Sequence, residues 1–219
     1  SMGAKVNGAG TDEITIDGVE ELKGTKFLIP ADRIEAGTYL IAAAITGGDV
    51  TISNVQAPRM NNILDKLKLS GASISVGDDY IQLIMERDSI LPVDISTAPF
   101  PGFPTDMQAQ FTVLNALSNG SSVVTENVFE NRFMHVQELN RMGCDINVKG
   151  SNAFIKGVES LNGAPVMATD LRASASLILA GLCANGETIV DRIYHIDRGY
   201  ERIEEKLSYI GADITRLPH

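Results

Sequence analysis

Three aspartates stand at matching points of the sequence, each just ahead of an apolar run that ends at glycine. Asp32 lies in PADRIEAGTYLIAAAITGG, Asp106 in PTDMQAQFTVLNALSNG and Asp170 in MATDLRASASLILAGLCANG. A carboxylate at the start of a helix caps backbone N–H groups, or it acts as a general base where a substrate hydroxyl is in reach. We expect all three at helix N-termini, with capping as the role of Asp32 and chemistry open for the others.

Arginines occupy comparable positions. Arg132 and Arg198 open two predicted amphipathic helices, and Arg172 follows Asp170 by two residues. A guanidinium group binds carboxylate or phosphate in a bidentate manner, although a solvated helix end or a plain Asp–Arg pair is the alternative for each. If the apolar helices run parallel, their N-termini share one face, which would attract anions.

The aspartate-bearing segments are parts of a longer repeat. We predict three β-α-β-α-β-β units, at residues 26–92, 93–163 and 164–219, each with one wholly apolar and one amphipathic helix. The apolar helices are predicted at 32–46, 106–118 and 170–184, the amphipathic ones at 60–69, 131–142 and 199–210, and a leading strand at 27–29. A helix that is apolar on all faces has to be buried, so the predicted fold is α/β with three central helices.

Residues 1–25 match the end of the second unit. MGAKVNGAGTDEITIDGVEELKG near the start corresponds to MGCDINVKGSNAFIKGVESLNG at 142–163, and both predict a pair of short strands. We therefore expect residues 1–25 to be a remnant strand pair from another lobe, and the parent protein to be longer at its N-terminus.

Composition excludes several classes of function. A net charge of −10 and 5% aromatic residues argue against nucleic-acid binding. There is no apolar run near 18 residues, so no membrane span is predicted. Cys144 and Cys183 are expected to be reduced, partly buried thiols of a cytoplasmic protein. His135 and His195 are isolated and expected to be structural, and the sequence predicts neither a metal site nor a cofactor.

Four longer strings carry a family resemblance. FPTDMQAQF (103–111), ENRFMHVQEL (130–139), ATDLRASASL (168–177) and DRIYHIDRGYERIE (191–204) closely resemble the enolpyruvyl transferase family, in particular its UDP-sugar branch. The resemblance covers the whole chain and implies half of an inside-out α/β barrel. It also implies transfer of the enolpyruvyl group of phosphoenolpyruvate to the 3-hydroxyl of UDP-N-acetylglucosamine, the first step of peptidoglycan synthesis.

The resemblance implies roles for single residues. Asp106 matches the candidate base at the sugar hydroxyl, and Val128 matches a position whose backbone contacts the UDP-sugar. Arg198 matches the arginine that binds phosphoenolpyruvate, Asp170 lines the same site, and Arg172 and Arg132 fall nearby.

The sequence also departs from the family pattern. The family's loop cysteine and phosphate-binding lysine lie upstream and have no match here, so this chain alone is expected to be inactive. An exposed sheet edge is expected to favour an edge-strand or swapped homodimer through residues 1–25. The alternatives are a lobe of enolpyruvylshikimate phosphate synthase, which is not expected to carry the four strings, and a stand-alone binding module.

Overall fold

The computed structural model describes residues 1–11 and 13–218 and separates into two units, Ser1–Ala31 and Asp32–His219. In the first unit, β1 (Lys5–Asn7) pairs antiparallel with β2 (Thr15–Asp17), and every residue of both strands is exposed. The strand pair predicted within residues 1–25 is therefore present, while its origin as a remnant stays a prediction.

The strand predicted at 27–29 does not form. Phe27, Leu28 and Ile29 belong to no element and are 70%, 92% and 82% exposed. An apolar run becomes a strand only when a neighbouring strand pairs with its backbone, and within the described residues none pairs with this segment.

The second unit carries the helices of the protein. They are α1 (Arg33–Thr46), α2 (Asn61–Leu69), α3 (Gln108–Ala116), α4 (His135–Arg141), α5 (Leu171–Cys183), α6 (Tyr194–Asp197) and α7 (Ile203–Tyr209). Helices α1, α3 and α5 pack against one another, and their residues are buried almost all round. The prediction of three central apolar helices is confirmed.

The strands form separate small sheets around these helices. One sheet has the order β3 (Asp49–Ser53), β5 (Tyr80–Ile84), β4 (Ser73–Val76), and all its pairs are antiparallel. A second has the order β6 (Ile95–Ser96), β7 (Ser121–Thr125), β9 (Asn152–Lys156), β8 (Asp145–Lys149), with only the β6–β7 pair parallel. At the end of the second repeat, β10 (Leu161–Asn162) pairs with β12 (Ala184–Asn185) of the third, and within the third β11 (Pro165–Met167) pairs with β13 (Ile189–Asp191).

The amphipathic helices each bury one face, and two of them begin later than predicted. The buried face of α2 consists of Ile63, Leu64 and Leu67. Helix α4 begins at His135 instead of residue 131, and α7 begins at Ile203 instead of residue 199. The cause is backbone conformation, because Asn131 has φ of 54° and Arg202 has φ of 47°, values that a right-handed helix cannot contain.

Candidate active site

The three repeat-equivalent aspartates have two different local structures. Asp32 caps α1, since its Oδ1 accepts from the backbone N of Ile34 at 2.8 Å and of Glu35 at 3.3 Å. Asp170 caps α5 in the same manner, with two bonds of 2.8 Å. Asp106 instead lies inside a 3₁₀ turn, Thr105–Met107, ahead of α3 and makes no cap bond. Its carboxylate is thereby left for other partners.

Two glycines allow the segments that carry the candidate residues to approach the central helices. A Cβ at Gly37 on α1 would lie 2.9 Å from Cε of Met107, the buried side chain that anchors the turn of Asp106. A Cβ at Gly199 would lie 2.6 Å from Cδ1 of Leu171, the first residue of α5. Both contacts are with the ends of flexible side chains, so a larger residue would first displace the side chain of Met107 or Leu171.

A chain of ion pairs crosses this end of the helices. Oδ1 of Asp106 is 2.8 Å from Nη2 of Arg132, and its Oδ2 is 3.7 Å from Nε of Arg172. Nη2 of Arg172 continues to Oδ2 of Asp32 at 3.6 Å. Members of all three repeats therefore meet here. The side chain of Arg172 is 12% exposed, whereas that of Asp106 is 39% exposed and open to a ligand.

Buried polar side chains lie next to the guanidinium group of Arg172. Its guanidinium carbon is 5.2 Å from the ring centre of Tyr200, which is fully buried. The Tyr200 hydroxyl is 2.9 Å from Oγ1 of Thr38 and 3.3 Å from Nε2 of Gln110. Burial raises the pKa of Tyr200, although the bond to Thr38 and the charge of Arg172 act in the opposite direction.

Arg172 keeps its charge despite its position. Burial alone lowers the pKa of Arg172, but Tyr200, Asp32 and Asp106 together raise it above its usual value. Its Nε and Nη1 atoms have no hydrogen-bond partner among the described residues. Because both atoms are buried, Arg172 presents positive charge to a ligand rather than these two N–H donors.

Val128 lies on the loop that follows β7. Its backbone N donates to Oε1 of Glu126 at 2.9 Å, and Val128 itself is 37% exposed. Because the amide is already bonded, the Val128 carbonyl is the backbone group still available to a ligand. Next to it, the ring centre of Phe129 is 4.9 Å from the guanidinium carbon of Arg132.

Arg198 is placed less tightly than the other arginines. It follows α6 directly and is exposed. Its backbone N–H donates to the carbonyl of Ile196, whereas its side chain has no hydrogen bond or ion pair within the part of the chain that the structure describes. Its neighbour Gly199 packs on Leu171, so the backbone of Arg198 lies beside the start of α5. The structure thus brings Asp106, Arg132 and Arg172 into contact, places Asp170 at the same helix end, and leaves the Arg198 side chain free.

The remaining titratable groups of interest are buried. Burial lowers the pKa of His135 to about 4, so the ring is neutral, and neither ring nitrogen has a partner among the described residues. Burial raises the pKa of Cys144 to about 12 and of Cys183 to about 11, and both thiols are free. The prediction of two reduced cysteines is confirmed, and both are more buried than expected.

Within residues 1–11 and 13–218, every helix is too short or too polar to span a lipid bilayer. The same residues contain no group of three or more histidine, cysteine, aspartate or glutamate side chains arranged to hold a metal ion.

Sequence reasoning missed several members of this site. Thr105, Glu126 and Tyr200 connect the predicted aspartates and arginines to the scaffold. Thr105 and Tyr200 lie inside strings that carry the family resemblance, but no spacing or periodic position indicated any of the three. The one signal that could have indicated Thr105 is its position directly before Asp106, one of the three repeat-equivalent aspartates. As assembled, the site offers an exposed carboxylate that can accept a proton from a hydroxyl and guanidinium groups that can bind phosphate or carboxylate.

Comparisons with known proteins agree on one family. A family model described as EPSP synthase (3-phosphoshikimate 1-carboxyvinyltransferase) matches residues 1–207. Proteins named UDP-N-acetylglucosamine 1-carboxyvinyltransferase are 58% identical in Pseudoalteromonas atlantica over 99% of this chain and 60% identical in Halorhodospira halophila over 100% of it. The chain spans about half the length of these relatives, 52% in both cases.

Solved structures of similar fold point to the same group. The enolpyruvyl transferase NikO from Streptomyces tendae superposes with a TM-score of 0.84 at 28% identity, covering 98% of this chain and 51% of its own. An EPSP synthase from Acinetobacter baumannii superposes with a TM-score of 0.75 at 20% identity, covering 98% and 53%, which speaks for the fold alone.

Proposed function

This chain belongs to the EPSP synthase family, and we propose that it is one lobe of an enzyme that moves the enolpyruvyl group of phosphoenolpyruvate to the 3-hydroxyl of UDP-N-acetylglucosamine, with release of phosphate. The identity of 58–60% to relatives named for this reaction supports this acceptor. The shikimate-pathway alternative has weaker support, since the solved EPSP synthase is 20% identical. The reaction opens peptidoglycan synthesis, and we propose the cytoplasm as its location.

The observation that carries the proposal is the exceptional state of Asp106. Asp32 and Asp170 use a carboxylate oxygen to cap their helices, whereas Asp106 caps no helix and pairs its two oxygens with Arg132 and Arg172. Its side chain is 39% exposed, similar to the 42% of Asp32. In the proposal Asp106 takes the proton of the 3-hydroxyl as general base. The flanking guanidinium groups hold the carboxylate in place and neutralise negative charge brought by the substrates.

The other site residues serve binding. The Val128 carbonyl contacts the UDP-sugar, and the unpaired Arg198 binds phosphoenolpyruvate. Asp170 lines the site at the start of α5. Because the chain spans about half of its relatives, we propose that it is inactive alone and that further cationic groups come from a companion lobe.

The test is a reconstituted enzyme. The chain is fused behind the N-terminal half of the Halorhodospira halophila relative, and phosphate release is followed with phosphoenolpyruvate and either UDP-N-acetylglucosamine or shikimate 3-phosphate. We expect turnover only with the UDP-sugar, and none from the chain alone. Turnover with shikimate 3-phosphate would favour the alternative acceptor, and turnover by the isolated chain would contradict the division of the site between two lobes.

We also propose that the isolated chain self-associates through its first strands. The β1–β2 hairpin has exposed apolar residues, with Val6 and Ile16 45% and 68% exposed, and isolated two-stranded hairpins are marginally stable. Pairing with a strand edge of a second copy would bury them. Light scattering is expected to show a dimer that dissociates when residues 1–25 are deleted; a strict monomer with a mobile hairpin would contradict this.

A further inference from the structure

Glu126, directly after β7, is a carboxylate buried inside the second unit. It is 3% exposed, and it has no ion-pair partner within the described part of the chain. Its Oε1 accepts from Oγ1 of Thr97 at 2.8 Å and from the backbone N of Val128 and Phe129 at 2.9 and 3.1 Å. Its Oε2 accepts from Oγ1 of Thr105 at 2.8 Å. A buried carboxylate with four donors fixes the position of every donor that it binds.

The bond from Thr105 extends this control to the ion pairs. A threonine hydroxyl has one proton, and here it points to Glu126, so the lone pairs of Thr105 are left for another donor. Nη1 of Arg132 occupies them at 2.6 Å, while Nη2 of the same guanidinium group is 2.8 Å from Oδ1 of Asp106. The orientation of Arg132 on Asp106 therefore depends on the direction of the Thr105–Glu126 bond.

We infer that Glu126 is a positioning residue that couples two parts of the site. One carboxylate oxygen sets the backbone of Val128 and Phe129, and the other sets Arg132, and through it Asp106, by way of Thr105. The loop of Val128 and Phe129, assigned to acceptor binding, and the base Asp106 are thereby held in a fixed position relative to each other. The assignment of loop and base rests on the proposed function; the coupling itself rests only on the hydrogen bonds.

Glu126→Gln separates this role from simple filling of space, because glutamine has the same shape. If the amide nitrogen faces Thr105, it donates where an acceptor is needed and competes with Arg132 for the hydroxyl. If it faces the other way, it meets three donors. Neither orientation satisfies all four bonds, so the replacement disturbs at least one of the two parts.

The first test uses the 219-residue chain and NMR. In Glu126→Gln we expect amide hydrogen exchange at Val128 and Phe129 to accelerate about tenfold, which corresponds to the loss of one typical hydrogen bond. We also expect the Nε–H signal of Arg132 to shift. Glu138→Gln is the matched control, since Glu138 lies on α4 and accepts a backbone bond from Met167 instead of the bonds that Glu126 accepts. Unchanged exchange and an unchanged Arg132 signal would overturn the inference.

A second pair of variants keeps the test decisive if Glu126→Gln does not fold. Thr105→Val removes the link between Glu126 and Arg132 but leaves the loop amides bonded, whereas Thr105→Ser keeps the hydroxyl. The Arg132 signal is expected to shift in the valine variant and to return in the serine variant, with Val128 exchange constant in both. An Arg132 signal that is unchanged in Thr105→Val would refute the coupling.

The reconstituted enzyme adds a kinetic readout. Glu126→Gln is expected to raise KM for UDP-N-acetylglucosamine about tenfold and to lower kcat, with KM for phosphoenolpyruvate changed by less than about twofold. General loss of folded enzyme would lower the apparent kcat alone. An equal rise of both KM values would contradict selective positioning. If the unaltered enzyme does not use the UDP-sugar, the proposed function fails, while the NMR results still decide on the coupling.

Discussion

The buried hydroxyl of Tyr200 allows a quantitative prediction. Thr38 donates its only proton to the carbonyl of Ile34 at 2.9 Å, so in the 2.9 Å contact with Tyr200 the phenol must be the donor. Gln110 Nε2 donates to both oxygens, at 3.1 and 3.3 Å. In Tyr200→Phe the bonds of the phenol to Thr38 and Gln110 are both lost, but the Thr38 hydroxyl and Gln110 Nε2 each keep another partner. We expect a cost of about 1 kcal/mol in the free energy of unfolding.

Thr38→Val has a larger effect, because it leaves the proton of a fully buried phenol without an acceptor. The expected cost is about 2 kcal/mol. The double variant removes the phenol that Thr38→Val leaves without an acceptor, although it also takes both acceptors from Gln110 Nε2, so its cost should stay below the additive value of about 3 kcal/mol. Urea unfolding of the four proteins, followed by circular dichroism, measures the cycle. Additive effects, or a larger cost for Tyr200→Phe than for Thr38→Val, would refute this direction of hydrogen bonding.

Three further predictions concern the remaining charged and titratable groups. Burial lowers the pKa of His135 to about 4, below its value in the unfolded chain. Between about pH 6.5 and pH 4 the unfolded chain therefore binds a proton at His135 that the native chain does not, so stability is lost as pH falls through this range. Urea unfolding at about pH 5 should show a loss of about 2 kcal/mol relative to about pH 7, which His135→Leu removes and His195→Gln leaves in place. Burial keeps the thiols of Cys144 and Cys183 protonated, so at about pH 8 a thiol reagent should label them only as fast as the chain unfolds. Labelling at the rate of a free thiol would contradict their burial. Arg216→Met breaks the ion pairs with Asp197 and Glu204 that connect the last residues to α6 and α7. Amide hydrogen exchange in α7 should therefore accelerate, with a stability cost of at most about 1 kcal/mol. An unchanged exchange rate would show that these ion pairs are not formed in solution.

The central helices were predictable because their signals are local and agree with one another. In α1, an aspartate precedes an all-round apolar segment, and the helix ends at Gly47 with φ of 73°. The same aspartate cap and apolar segment recur at Asp170 and α5, although α5 ends at Ala184 in an extended conformation. The repetition of the pattern supplied the architecture, since a helix without a polar face has to lie where no solvent reaches it.

The starts of α4 and α7 were not predictable from amphipathic spacing. Asn131 and Arg202 adopt left-handed conformations that the surrounding fold imposes, and for arginine no residue preference announces this. The segment Phe27–Ile29 has strand composition but no strand beside it, so its backbone forms no sheet. In each case tertiary context decided against the local pattern.

The candidate site was predictable only where it repeats. Repetition indicated Asp106 and Asp170, and anion chemistry indicated the arginines. The contacts that position them join distant parts of the chain: Thr38 and Tyr200 are 162 residues apart, and Thr105 and Glu126 are 21 apart. No spacing rule reports such contacts, and a single buried glutamate such as Glu126 resembles any other polar residue of a loop.

The measurement that tests the account most directly is phosphate release by the reconstituted enzyme carrying Asp106→Asn. We predict that the rate falls at least about 100-fold, the contribution typical of a general base, while UDP-N-acetylglucosamine still binds. Asp65→Asn, the same change on the exposed face of α2, should keep the full rate. An Asp106→Asn enzyme that turns over as fast as the unaltered one would contradict the assignment of Asp106, and with it the proposed chemistry of this lobe.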